Sequence, residues 1–246
     1  MIGLLAGLAL VIACACVVNN YTDRAIDKKM SRTKNRAMAA GKVSTVSALT
    51  YAAVLGVGGI AILSAFTNYL AVSLALVALF SYIVLYGVAK RRSAHSTLVG
   101  AIPGALPPVI GYVSVSDGLD KAALLLFLIL VFWQMPHFYA IAMYRYKDYK
   151  AAGLPVITVV KNMRAVKNQI IAYILLYMAA LIGLYIFGYT GYSYLAGVSV
   201  VTFYWLVYGI SHWHLKDDLW GRGMFIISLK VTLVVSILLA LGSRLP

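Results

Sequence analysis

The hydrophobic pattern of this chain consists of repeated apolar stretches of roughly 17 to 22 residues, separated by short polar segments. That length is close to the ~20 residues with which a helix crosses a hydrocarbon core of about 30 Å. The pattern therefore predicts eight membrane-spanning helices. The predicted spans are residues 2–18, 46–66, 69–88, 98–115, 122–143, 169–187, 193–210 and 224–242.

Composition and backbone chemistry both favour an all-α membrane protein. Apolar residues make up 63% of the chain and charged residues 11%, whereas soluble domains carry about 25% charged residues. A sheet with open edges leaves backbone groups unpaired in lipid, and the sequence has no series of alternating segments of about ten residues that would indicate a spanning barrel. We expect an all-α, polytopic helical bundle that forms one integral-membrane domain over residues 1–246.

The basic residues indicate which loops share a membrane face. Lys and Arg accumulate in the short cytoplasmic loops of membrane proteins, and all but two of the 21 Lys and Arg residues fall in four loops that alternate with nearly uncharged turns. The net charge of +14 is thus a signal of topology, and the expected partner is the lipid bilayer rather than nucleic acid. The residues are Arg24, Lys28, Lys29, Arg32, Lys34, Arg36 and Lys42; Lys90, Arg91 and Arg92; Arg145, Lys147, Lys150, Lys161, Arg164 and Lys167; and Lys216, Arg222 and Lys230.

This asymmetry predicts an orientation. The basic face is expected to be the cytoplasmic side of a bacterial plasma membrane, or the matrix side of a mitochondrial inner membrane. Counting back from the first basic loop places Met1 on the outer face, and residues 1–18 have neither a basic flank nor a cleavage site of the A-x-A type. We therefore expect one further span before Met1 in the natural protein, nine in all.

Polar residues at the end of the first span suggest a magnesium site. Asn19, Asp23 and Asp27 recur every four residues, so a helix places them on one stripe with about 6 Å between successive positions. Carboxylates near lipid need a compensating cation, and Mg²⁺ commonly binds one or two carboxylates together with phosphate oxygens and water. The pattern is typical of a site for a magnesium-bound diphosphate. The alternative is a solvated interfacial helix in which these acids pair with Arg24, Lys28 or Lys29.

Basic residues and a second acid lie on the same predicted face. Several cations of the first two basic loops are candidates to neutralise the phosphates: Arg32, Lys34, Arg36, Lys90 and Arg91. Four spans after the acidic stripe comes the segment Tyr144–Asp148, and an even number of crossings returns the chain to the same side of the membrane. Asp148 is therefore a candidate to face the stripe. Taken alone, Arg145 and Lys147 are ordinary membrane anchors.

One histidine, His137, is predicted inside a span, where a polar side chain indicates function. It is a candidate ligand for haem iron, and the alternative is a hydrogen-bonded interior histidine. Pro136 beside it, and Pro103, Pro107 and Pro108 in an earlier span, predict kinked helices. Such kinks either form a site or are purely structural.

Several of these segments together resemble the UbiA superfamily of intramembrane prenyltransferases, and within it the branch that farnesylates haem. The resemblance covers essentially the whole chain. It is carried by Asn19–Asp27 with Arg32–Arg36, by Lys90–Arg91, by Gly104–Tyr112, and by Trp133–His137 with Tyr146–Tyr149. It implies a nine-helix bundle with a central cavity open to the membrane.

The resemblance also implies ligands. The first acidic motif of the superfamily matches Asn19, Asp23 and Asp27 as Mg²⁺ ligands, and its second falls at Asp148. The implied diphosphate contacts are Arg32, Lys34, Arg36, Lys90, Arg91, Arg145 and Lys147. Many members carry further acids where this chain has Ala152 and Val156, and members that act on aromatic acids often have Asp at the position of Asn20. These departures match the haem branch and put a complete second Mg²⁺ set in doubt.

The reaction that the resemblance implies is transfer of a farnesyl group from farnesyl diphosphate to a vinyl group of haem b, with haem b as substrate and diphosphate as product. Haem A synthase or proteins of terminal-oxidase assembly are the implied protein partners. Two other functions remain open. One is prenyl transfer to a quinone precursor or a chlorophyllide-like acceptor. The other is a membrane transporter, which would require acids near the membrane midplane.

Overall fold

The computed structural model describes residues 1–242, and it is helical with no strand in that part of the chain. Eight helices are long and apolar enough to span a membrane, which confirms the all-α class and the predicted number of spans. The helices are α1 (Ile2–Thr22), α2 (Arg24–Asp27), α3 (Thr45–Phe66), α4 (Tyr69–Phe80), a π-helix (Ser81–Tyr86), α5 (Gly87–Arg92), α6 (Ser96–Ser116), α7 (Lys121–Tyr144), α8 (Tyr146–Ala151), α9 (Ile157–Val160), α10 (Met163–Ile186), α11 (Tyr192–Ser211) and α12 (Asp217–Leu241).

Side chains that precede the long helices explain where several of them begin. Ser44, Asn68, Asp120 and Asn162 each accept a hydrogen bond from the backbone N–H three residues later. This is N-capping, which satisfies an amide that has no partner within its own helix. The predicted prolines lie inside continuous helices, with Pro136 in α7 and the other three in α6.

Two helix starts differ from the sequence prediction. Helix α10 begins at Met163 instead of residue 169, and α12 begins at Asp217 instead of residue 224. The prediction counted only apolar residues, whereas charged first turns extend these helices beyond the apolar stretch. Asp217 is itself favourable there because the N-terminus of a helix carries partial positive charge. The assignment to loops was therefore wrong for the basic residues that lie inside these helices: Arg164, Lys167, Arg222 and Lys230.

The chain forms two compact units. The first consists of Met1–Leu119 and Lys147–Val156. In this unit α1 packs along α3 at small residues: a Cβ atom added at Gly59 would lie 2.9 Å from the carbonyl oxygen of Gly7. Small residues let membrane helices approach closely enough for backbone packing.

The second unit consists of Asp120–Tyr146 and the residues from Ile157 onward. Within this unit, helix α7 packs against both α10 and α12. Gly221 makes the contact with α7 possible, because a Cβ atom there would lie 2.9 Å from the carbonyl oxygen of Ala140. Trp205 and Trp220 are fully buried, and the indole N–H of Trp220 donates to the carbonyl of Gly209 at 3.0 Å.

A buried lysine joins α10 to the segment that leads into α12. Lys167 is only 5% exposed. Its Nζ lies 2.9 Å from an oxygen of Asp217, and it donates to the carbonyls of Trp213 and Leu215 at 3.2 and 3.3 Å. The ammonium also lies 5.6 and 5.2 Å from the ring centroids of Trp213 and Trp220. The arrangement holds the turn between α11 and α12 against α10.

We predict that Lys167→Met destabilises the protein by about 1.5–3 kcal/mol, the range for hydrogen bonds that involve a charged group. The measurement is thermal unfolding in detergent. The control is Lys161→Met, which removes the same charge from an exposed side chain. Equal melting temperatures for the two variants would show that the Lys167 contacts add nothing to stability.

Candidate functional site

The acidic stripe lies where α1 ends and α2 begins. The backbone N–H of Asp23 donates to the carbonyl of Asn19, and that of Asp27 to the carbonyl of Asp23, each at 2.8 Å. These bonds continue the helical register across the junction, so the three polar side chains stay on one face. Asp23 and Asp27 are 2% and 3% exposed, and Asn19 is half-buried in the last turn of α1.

Cations from two segments compensate these buried carboxylates. Lys90, in α5, forms an ion pair with Asp23. The Nη1 atom of Arg36 lies 3.0 Å from Oδ2 of Asp27. Arg91 donates to the carbonyl of Thr22, and its Nη2 is 3.9 Å from Oδ1 of Asp23. Three of the predicted diphosphate contacts therefore lie at the acidic stripe.

Arg24 does not take the role that the interfacial-helix alternative gave it. Its guanidinium donates to the carbonyl of Tyr21 at 2.8 Å and lies 4.3 Å from the centroid of the Tyr21 ring. Lys28 and Lys29 are exposed. The buried carboxylates are thus paired with cations that come from later in the chain.

The π-helix that precedes α5 carries two aromatic rings near the stripe. The rings of Tyr82 and Tyr86 lie 5.4 Å apart, and Nζ of Lys90 is 5.8 Å from the centroid of Tyr86. Tyr82 also lies within electrostatic range of Asp23. Segments of π-helix occur frequently at functional sites. The sequence did not single out these two tyrosines, because the chain has 18 tyrosines and many of them have similar apolar neighbours in the sequence.

The second acidic segment packs against the loop that follows the stripe. Ser31 donates to both carboxylate oxygens of Asp148, at 2.9 and 3.0 Å. Met30 packs with Ala152, Leu154 and Val156 in a small buried cluster. Asp148 is therefore in the same unit as the acidic stripe, and it is hydrogen-bonded to the loop that follows the stripe. Ala152 and Val156, where the resemblance suggested acids in other members, are buried apolar residues of this cluster.

The remaining predicted phosphate contacts are Arg32, Lys34, Lys147 and Arg145. Arg32, Lys34 and Lys147 are exposed side chains of the first unit. Arg145 belongs to the second unit, where its guanidinium lies 4.4 Å from the centroid of the Tyr144 ring.

An apolar cavity of about 230 Å³ lies inside the first unit. Leu8, Ala75 and Ile110 line one end, and Cys16 and Tyr82 line the other. Leu8 and Cys16 are eight residues apart on α1, which corresponds to a length of about 12 Å. Asn19 follows Cys16 by about one helical turn, so the cavity runs along α1 toward the acidic stripe. Two of the prolines that predicted helix kinks, Pro103 and Pro107, also line it.

His137 occupies a separate aromatic environment in the second unit. It is 8% exposed, and its Nδ1 lies 2.8 Å from Oγ of Ser228. The imidazole stacks on Trp133 with 4.6 Å between ring centroids, and the Phe225 centroid is 5.2 Å away. Ser228 is a residue that the sequence did not indicate.

The donor set at the acidic stripe fits magnesium that is shared with phosphate. Among residues 1–242, no group of three or more His, Cys, Asp or Glu side chains is placed to enclose a metal ion. Mg²⁺ seldom needs such a cage, because it usually retains water and uses one or two carboxylates plus substrate phosphates. Two buried carboxylates beside an amide oxygen satisfy that requirement.

Comparison with known proteins agrees with this geometry. The sequence model of the UbiA prenyltransferase family matches residues 1–230. The chain belongs to the UbiA prenyltransferase family. A relative from Photorhabdus laumondii, named protoheme IX farnesyltransferase, is 43% identical over 247 residues, a match that covers all of this chain and 84% of the relative.

Solved structures share the fold of this chain. A digeranylgeranylglyceryl phosphate synthase has a TM-score of 0.81 at 16% identity, covering 98% of this chain and 85% of that protein. A UbiA homologue from Archaeoglobus fulgidus, solved with GPP and Mg²⁺ bound, has a TM-score of 0.64 at 16% identity, covering 97% and 87%. The family resemblance, the prediction of a prenyltransferase enzyme and the multi-pass membrane character are confirmed.

Proposed function

We propose that this UbiA prenyltransferase transfers the farnesyl group of farnesyl diphosphate to a vinyl group of haem b, giving haem O and diphosphate. The main support is the buried acidic stripe, with Lys90 and Arg36 paired to it, at one end of an apolar cavity. The name of the P. laumondii relative supports haem as the acceptor. Residues 1–246 act as a single functional domain in this role.

In this proposal Asn19, Asp23, Asp27 and Asp148 hold Mg²⁺ together with the diphosphate. The cation supplies Lewis-acid stabilisation of the negative charge that develops on the diphosphate as it leaves. Asp23 and Asp27 fix the position of the charged head, since both side chains are buried and held by ion pairs. Ser31 orients Asp148 through both carboxylate oxygens.

The basic side chains stabilise the leaving group directly. Arg36, Lys90 and Arg91 lie at the acids, and as the diphosphate enters they exchange carboxylate contacts for phosphate oxygens. Charged donors placed where charge develops are commonly the largest single contribution to catalysis. Four further cations complete the proposed phosphate contacts, Arg32 and Lys34 in the loop of Arg36, and Arg145 and Lys147 at the start of α8.

The farnesyl chain occupies the apolar cavity, where it is shielded from water. The bond between C1 of farnesyl and the diphosphate oxygen breaks, and its electron pair leaves with the diphosphate. The vinyl π-electrons of haem form the new carbon–carbon bond to C1, which requires an approach of about 3–3.5 Å. Water then adds to the carbon next to the porphyrin ring and loses a proton, giving the hydroxyethylfarnesyl side chain. The Tyr82 ring at the cavity end stabilises allylic positive charge.

Haem b binds through its iron to His137 in this proposal. The imidazole is held by Trp133 and Ser228 in an apolar part of the second unit. The membrane is proposed to be a bacterial plasma membrane, or a mitochondrial inner membrane, with the acidic stripe on the cytoplasmic or matrix side. Haem A synthase and terminal-oxidase assembly proteins are the proposed partners.

The test is to supply the purified protein in lipid nanodiscs with haem b, farnesyl diphosphate and Mg²⁺, and to look for farnesylated haem by mass spectrometry. We expect the product to disappear when EDTA removes Mg²⁺ and to return when Mg²⁺ is restored. Parallel reactions with a quinone precursor or chlorophyllide replace only the acceptor. Product from one of these and none from haem b would contradict the proposed acceptor while leaving the diphosphate site intact.

A further inference from the structure

Ser228 uses its only proton on a backbone carbonyl of its own helix. Its Oγ lies 2.6 Å from the carbonyl oxygen of Phe225, one turn earlier in α12. Two oxygens at that distance need a hydrogen between them. The carbonyl has none, so the Ser228 hydroxyl is the donor. The hydroxyl oxygen can then only accept from any other neighbour.

His137 is that neighbour, and the contact decides its tautomer. Nδ1 of His137 lies 2.8 Å from Oγ of Ser228. Because the serine proton is already donated to Phe225, Nδ1 must carry the hydrogen and donate it to Oγ. In a neutral imidazole only one nitrogen is protonated. Nε2 of His137 therefore keeps its lone pair.

The Nε2 lone pair is available to a ligand. Within the described part of the chain, no hydrogen bond to this atom is present, and Nε2 is not among the fully buried atoms that lack a partner. The residue as a whole is 8% exposed. The ring is also held in orientation, because Trp133 stacks on it and donates its own N–H to the carbonyl of Ser228 at 3.0 Å. Helices α7 and α12 together fix both the tautomer and the plane of the imidazole.

We infer that Ser228 is a positioning residue for haem: it holds His137 in the Nδ1–H tautomer, so that Nε2 binds the haem iron axially. This inference rests on the proposed role of His137 as the haem ligand. Histidines that bind metals usually donate the other ring N–H to a fixed acceptor, which sets the tautomer and raises the basicity of the ligating nitrogen. The Ser228 hydroxyl is that acceptor here.

The experiment is a titration of the purified full chain with haem b, without farnesyl diphosphate, followed by absorption and resonance Raman spectra. We expect Ser228→Ala to weaken haem binding by about 10–100-fold, the usual effect of removing a partner of a ligating histidine, and to lower the iron–histidine stretching frequency. Ser228→Thr keeps the hydroxyl and should restore both. Ser236→Ala, an exposed serine of the same helix, is the matched control and should match the wild type.

The variants separate two kinds of failure. If His137→Ala loses the axial-ligand signature while Ser228→Ala keeps wild-type affinity and frequency, the tautomer inference is wrong and His137 still binds haem. If His137→Ala gives the wild-type spectrum, the proposed haem ligand itself is wrong. Binding of farnesyl diphosphate and Mg²⁺, measured on each variant by calorimetry, shows that the protein remains folded.

Discussion

Asp23→Asn and Asp27→Asn are each expected to lower the rate of Mg²⁺-dependent prenyl transfer by at least about 100-fold, the loss typical when one preorganised electrostatic group is removed. Each substitution keeps the shape of the side chain but removes the negative charge that magnesium requires. Asp23 and Asp27 are both buried and lie on one helical face, so each is held in a fixed position that an amide cannot replace as a charged ligand. The measurement is kcat for farnesylated haem at saturating Mg²⁺.

A loss of activity must be separated from a loss of folding, because Asp23→Asn leaves the half-buried Lys90 without its partner. Removing one member of a buried ion pair destabilises a protein by about 3–5 kcal/mol. The double variant Asp23→Asn with Lys90→Met removes both charges, and we expect it to fold while remaining inactive. Asp117→Asn makes the same chemical change in the turn between α6 and α7 and should be fully active. Wild-type rates in Asp23→Asn would exclude that residue from magnesium binding.

The sequence was sufficient for the parts of the fold that depend on local physics. Long apolar stretches must be helical in lipid, so eight spans could be predicted and are present. Repetition every four residues likewise placed Asn19, Asp23 and Asp27 on one face, as the backbone hydrogen bonds show. Both predictions depend on the spacing of apolar and polar residues, which can be read directly from the sequence. The predicted starts of α10 and α12 were wrong, because a charged residue next to an apolar stretch does not by itself end a helix.

Tertiary contacts were beyond the sequence. The first two basic loops offer many cations of similar character, and nothing in their order shows that Arg36 contacts Asp27 or that Lys90 contacts Asp23. Ser31 and Ser228 are ordinary serines until the fold brings them to Asp148 and His137. Residues of this kind become visible only through the distance between side chains far apart in the chain.

The second large effect is expected from a substitution that shortens the apolar cavity. Ala75 is fully buried and lines the end away from the acidic stripe, beside Leu8 and Ile110. Ala75→Leu places a branched side chain where the proposed farnesyl chain ends. We expect kcat/KM for farnesyl diphosphate to fall by about 10- to 200-fold relative to geranyl diphosphate, the discrimination that a single carbon unit produces in an apolar pocket.

The quantity expected to change is the ratio of kcat/KM for farnesyl diphosphate to kcat/KM for geranyl diphosphate. A change in this ratio distinguishes the effect of a shorter cavity from a general loss of activity. A shorter cavity still admits the ten-carbon geranyl chain, and the diphosphate contacts at Asp23 and Arg36 are unchanged. Val77→Leu adds bulk on the lipid-facing side of the same helix and should leave the ratio as in the wild type. Equal losses with both diphosphates in Ala75→Leu would mean that the prenyl chain binds elsewhere. The cavity would then be a packing feature of α1, α4 and α6.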